Sequence, residues 1–217
     1  MPIISLGIRH PPRLLHSNFV VALLSDLFGI QARSGCFCAP YLHRIYRVDK
    51  TWSARMEAEC RRGHMGAKLG FLRLVVNYFI SDEVFEYVLE AIDLLADHAW
   101  KLLPLCRFDP CSGLWHHRDH RRAVPTLADV HLPRATGEPD GALARHLEQA
   151  RQIVRTVETA PPYVLVSDPV ISEGFEQIRW FPLPGEGLAK LRGLMLPNRS
   201  HLVVVLGVPL DAWSRSR

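Results

Sequence analysis

The chain opens with a short apolar run and then changes period. Residues 2–7, PIISLG, are β-branched and bounded by Pro2 and Gly7, which predicts a strand. From Leu15 the apolar positions Leu15, Phe19, Leu23 and Leu27 recur at helical spacing, so an amphipathic helix packed on that strand is expected. Ser17 is placed to cap its start, and Gly29 to end it in a left-handed turn. Residues 71–76, FLRLVV, predict a further strand, apolar except for Arg73. Ser81 then offers a cap, with Asp82 and Glu83 at the positive end of a helix whose stripe of Val84, Val88, Ile92 and Leu95 runs on until Pro104. The order strand, helix, loop, strand, helix predicts a compact α/β unit over residues 1–106.

Beyond it the pattern breaks. Residues 107–140 mix Pro, Gly, His and Arg without a sustained period, which predicts a linker or surface arm. A helix over residues 141–158 follows from the stripe Leu143, Leu147, Ala150, Val154 and Val157. Strand-like pieces at 163–166, 178–181 and 202–206 are expected to form a small second sheet, giving residues 141–217 the character of an α+β extension.

Composition narrows the function classes. With 217 residues and 48% hydrophobic content, the chain can bury a core. Lys and Arg number 26 against 22 acidic residues, a net charge of +4 that is too slight to mark a nucleic-acid binder. The longest apolar runs, 19–24 and 202–206, are too short to span a bilayer, and no charged, apolar and cleavable leader opens the chain. A soluble cytoplasmic protein with reduced thiols is the expectation for its five cysteines.

Two of those cysteines stand one residue apart in QARSGCFCAPYLH, residues 31–43. Free cysteine is often simply buried, so packing is one reading. Zinc is a second: Cys36, Cys38 and His43, with Cys60 or His64, supply ligand types but not the usual paired spacing. A nucleophilic thiol is the third, because a thiolate is favoured by a nearby guanidinium and an open glycine turn, and Arg33, Gly35 and Cys38 provide these.

The run from the first helix through LFGIQARSGCFCAP resembles the small domain of class V aminotransferases and cysteine desulfurases, pyridoxal phosphate (PLP) enzymes of fold type I. Arg33, Gly35 and Cys38 match their Arg-x-Gly-x-x-Cys motif, with Gly29 and Ile30 ahead of it. The resemblance covers residues 2–103 and implies a short sheet packed with helices. It also implies that Cys38 is the sulfur nucleophile, that Arg33 shapes its loop within the substrate site, and that Arg73 grips the substrate carboxylate through a bidentate guanidinium. The substrate implied is an amino acid.

Three departures shape the expectation. Ala39 alone separates Cys38 from Pro40, and residues 47–66 form an insert expected to be an extra surface element. The PLP lysine, its acid and its phosphate cradle belong to a large domain, and Lys50, Lys68, Lys101 and Lys190 all lie in other contexts. The resemblance therefore implies a fragment or split subunit that needs a large PLP-binding domain or a homodimer partner. The alternative is a non-catalytic sulfur-accepting or metal-binding module using Cys36 and Cys38. Residues 114–122, LWHHRDHRR, read as a solvated basic face, although His116, His117 and His120 are metal-ligand types.

Overall fold

The computed structural model describes residues 3–36, 48–119, 141–161, 167–194 and 200–206, and the protein is α/β. Its strands are β1 (Ile3–His10), β2 (Arg13–Leu14), β3 (Arg33–Cys36), β4 (Gly70–Val75), β5 (Cys106–Phe108), β6 (Trp115–His117) and β7 (His201–Leu206). Its helices are α1 (Ser17–Phe28), α2 (Lys50–Arg61), α3 (Asp82–His98), α4 (Ala142–Thr159), α5 (Glu173–Ile178) and α6 (Pro184–Leu191). Short 3-10 helices occupy Met65–Ala67 and Ala99–Leu105.

The main sheet has the order β7-β1-β4-β3 with antiparallel neighbours throughout, and β2 adds a two-residue pairing to the end of β1. β1 and β3 therefore run parallel with β4 between them, and β4 and β7 run parallel with β1 between them. These are two interleaved split βαβ units. Strand alternation sends Leu6, Ile8, Leu72 and Leu74 to one face, where Phe19, Leu23 and Leu24 of α1 and Ile92 and Leu95 of α3 bury them in one cluster. α4 lies against both α1 and α3 on the far side of that layer.

Local signals place the helix ends. Gly29 has φ 64°, and its N–H reaches the carbonyls of Leu24 and Ser25, as a left-handed C-cap requires. Ser81 Oγ accepts the Val84 N–H at 3.3 Å at the start of α3. The cap of α1 differs from expectation. His16 fills it, its Nδ1 accepting the Asn18 N–H at 3.1 Å, while Ser17 sits in the first turn and pairs with Ser34 Oγ at 2.8 Å. The insert forms α2, capped by Asp49, whose carboxylate accepts the Trp52 N–H at 2.7 Å.

The expected second sheet is corrected. Residues 202–206 fall in β7, which joins the main sheet beside β1 in a six-residue register running from Ile4↔Leu206 to Arg9↔His201. Residues 178–181 form no strand: Ile178 closes α5, and Arg179 turns back to bond Glu176, Glu186 and the Phe181 carbonyl. The Ser172 cap and the first-turn acids Glu173 and Glu176 favour helix at the point where apolar alternation alone suggests β. Residues 163–166 lie outside the described residues. The first part of the predicted arm, from residue 107 to 117, belongs to a β5–β6 hairpin that begins at Cys106, with Phe108 and Trp115 buried. Residues from all three expected segments, such as Leu24, Trp115 and Phe175, share one buried cluster.

Candidate functional site

Arg73 lies at the centre of the opposite sheet face. The β3–β4 register sets Arg33 directly across from it, and the β1–β4 register sets Ser5 on its other side. Both arginines are exposed and neither makes an ion pair among the described residues. β1, β3, β4 and β7 contain no Asp or Glu, so nothing on these strands offsets the two charges.

Glycine makes the geometry possible. The Arg73 guanidinium lies over Gly35: a Cβ there would stand 2.8 Å from Nε and 2.9 Å from Cζ. Gly70, paired with Cys36, is closed in by the Gly35 carbonyl oxygen and Ser17 Oγ, which a Cβ would meet at 2.8 and 2.9 Å. β3 is thus drawn tightly against β4 and the start of α1, and Arg73 is turned along β3 toward its end at Cys36. Phe71, on the same face, is covered by Trp52 and Met56 of α2, which leaves the arginine pair at the margin of that cover.

The structure therefore brings Arg33, Gly35 and Arg73 together. Cys38, Ala39, Pro40 and His43 lie outside the described residues, and Cys36 is placed by its backbone pairing alone. Of the zinc candidates, His64 Nδ1 is committed to Glu59 at 2.6 Å. Among the described residues no group of three or more His, Cys, Asp or Glu side chains is placed to hold a metal ion. Cys106 and Cys111 are free thiols, and burial pushes the Cys106 thiol up to about 12, too high for a nucleophile.

Two other titratable clusters were not foreseen from sequence. His10 Nδ1 meets Ser200 Oγ at 2.6 Å, and its Nε2 meets Lys190 Nζ at 3.0 Å, with Trp100 stacked on the ring and Lys190 lying over Trp100. Burial, and then the Lys190 charge, depress His10 to about 4. His16 is enclosed by Phe108, Trp115, Trp180 and Phe181 and depressed to about 3 by burial. The enclosed space beneath the sheet is about 10 Å³, too small for a ligand. A groove of about 590 Å³ beside α4 is lined by Leu105, Arg118, Gln152, Ile153 and Val157, away from the arginine pair.

PLP is not accommodated by this chain's own lysines. Lys101 is paired with Glu158, Lys190 with His10, Lys50 opens α2 and Lys68 follows the Met65–Ala67 turn; none lies on the sheet. No helix among the described residues is long and apolar enough to cross a membrane. No protein-family model, no curated protein and no solved structure matches the chain, so its placement rests on these residues and their geometry.

Proposed function

We propose that this chain is the small-domain portion of a PLP-dependent enzyme of the class V aminotransferase and cysteine desulfurase kind, working with a PLP-binding large domain. The observation that carries the reading is the Arg33–Arg73 pair with the Arg73 guanidinium resting over Gly35, because it puts an exposed fork-shaped donor beside the Arg-Ser-Gly stretch that leads to Cys38. The succession β1, α1, β4, α3 supports it, since the resemblance implies strand, helix, loop, strand, helix; the Arg33–Cys36 stretch, expected as loop, pairs with β4 as β3, and α2 stands in the insert between them.

In this reading Arg73 holds the amino-acid carboxylate, Arg33 shapes the loop, and Cys38, two residues past the end of β3, is the sulfur nucleophile. The cofactor, when bound, supplies the electron sink for carbanion chemistry, and its lysine, acid and phosphate cradle come from the large domain. No step on the cofactor is assigned to residues of this chain.

The test is purification of the protein from its own cells. Expected is a species larger than the 24.6 kDa chain that carries PLP removable by hydroxylamine. In that species Arg73→Ala should weaken transition-state binding of the substrate by about 2–3 kcal/mol, the scale of a charge-assisted hydrogen-bonded pair. Cys38→Ser should abolish persulfide formation from cysteine if the reaction is a desulfuration. A PLP-free protein at 24.6 kDa would overturn the reading.

A further inference from the structure

Like charges directly opposite each other on an antiparallel pair destabilise it, because the two Cα atoms are only about 4.5–5.5 Å apart. Arg33 and Arg73 are such a pair, and no acid on the four main strands relieves them. Arg9, by contrast, is opposite His201 and Leu14 at the other end of β1, with no arginine across from it. A substrate with one carboxylate needs one guanidinium. A second one across the strand pair adds repulsion that no ion pair among the described residues offsets, and a second negative charge on what binds there would compensate it.

We infer that the Arg33–Arg73 pair binds a dianion, which rests on the reading of Arg73 as a carboxylate ligand and adds that the substrate carries a second anionic group. That group is a side-chain carboxylate, which makes the ligand a dianion together with the first, or a phosphomonoester, which is a dianion by itself. Both offer paired oxygens to a planar fork of donors, and Arg33 supplies the second fork. Gly35 is the positioning residue, since only a missing Cβ allows the Arg73 guanidinium to lie along β3.

The experiment is calorimetric titration of the 217-residue protein with inorganic phosphate, succinate and acetate at pH 7.5 and matched ionic strength. Expected is binding of phosphate or succinate at least tenfold tighter than acetate. Arg33→Gln and Arg73→Gln should each lose at least tenfold, and Arg9→Gln should lose nothing. Tighter succinate identifies a dicarboxylate, and tighter phosphate a phosphomonoester. A thermal readout gives an independent check, because Arg33→Gln should raise Tm in chloride, where it relieves repulsion, and lower it relative to wild type in the preferred dianion. Equal affinity for acetate and both dianions, or an equal loss in Arg9→Gln, would overturn the inference. No cofactor or second polypeptide enters this titration. Dianion binding in a protein that never carries PLP would keep the site and remove the enzyme reading, whereas acetate-like binding in a PLP-containing enzyme would remove the dianion alone.

Discussion

At position 16 an imidazole is surrounded by four aromatic rings, with Nε2 facing the Gly66 carbonyl at 3.3 Å and Nδ1 taking the Asn18 N–H. The neutral ring with its proton on Nε2 satisfies both contacts, and the cation would break the α1 cap. Its pKa is about 3 in the folded protein against an ordinary 6.5, so the folded state binds fewer protons than the unfolded state between those values. Stability is complete above about pH 6.5 and falls as pH drops toward the folded value. Between pH 6.5 and 5 the loss from His16 is about 2 kcal/mol at 1.4 kcal/mol per pH unit. Urea unfolding at the two pH values should show it, and His16→Leu should remove that part of the slope while leaving the part due to His10, which faces Lys190 and Ser200. An unchanged slope in the variant would mean that the acid sensitivity arises elsewhere. Nothing local marked residue 16 as the cap, because Ser17 has the better capping side chain and only the distant Ser34 diverts it.

Elements whose ends are written in neighbouring residues could be read from sequence, as α1 shows at Gly29 and α3 at Ser81. The tether of α2 could not. Glu59 is 1% exposed near the end of that helix, where it accepts from Ser172 Oγ at 2.9 Å, His64 Nδ1 at 2.6 Å and Arg62 Nη1 at 2.5 Å. Burial alone would raise its carboxyl, but these donors hold it below the usual range. The same Ser172 hydroxyl accepts from the Phe175 N–H and caps α5, so one carboxylate joins two helices across more than a hundred residues of chain. Glu59→Ala should cost about 2 kcal/mol, less than a fully buried pair because Arg62 and His64 can turn to water. Hydrogen exchange should rise first in α2 and the α5 start. Equal acceleration across the central sheet would mean that the tether is part of the global core. Since α2 covers Phe71 beside the arginine pair, this variant also tests how far the site depends on its neighbour.

For the whole molecule, the α/β class was legible, and with it β1, α1, β4 and α3, because each of these carries its own period and punctuation; β3, expected as loop, does not. The assembly was not. β7 pairs with β1 rather than with its neighbours in sequence, and α4 packs on α1 and α3, so the two ends of the chain complete one layer. At the site, sequence marked Arg33 and Arg73, but a cross-strand register depends on where a 33-residue excursion returns, and no local pattern records that. A polypeptide of residues 1–106 lacks the strand on one side of β1 and the helix over α1 and α3. It should therefore show weak far-ultraviolet ellipticity and no cooperative melt, whereas residues 1–206 should melt as one transition. A stable, cooperative 1–106 would mean that the first unit has a sufficient core of its own.

The placement of β7 also bears on how the protein fails. HLVVVL is an uncharged, β-branched segment, and the described residues pair only one of its two sides. While it is hydrogen-bonded to β1 it completes the sheet; once released it has the composition of a segment that pairs with copies of itself. Detachment of this strand from β1 would present a self-pairing segment to neighbouring molecules, so aggregation of concentrated samples should follow how readily that one strand lets go.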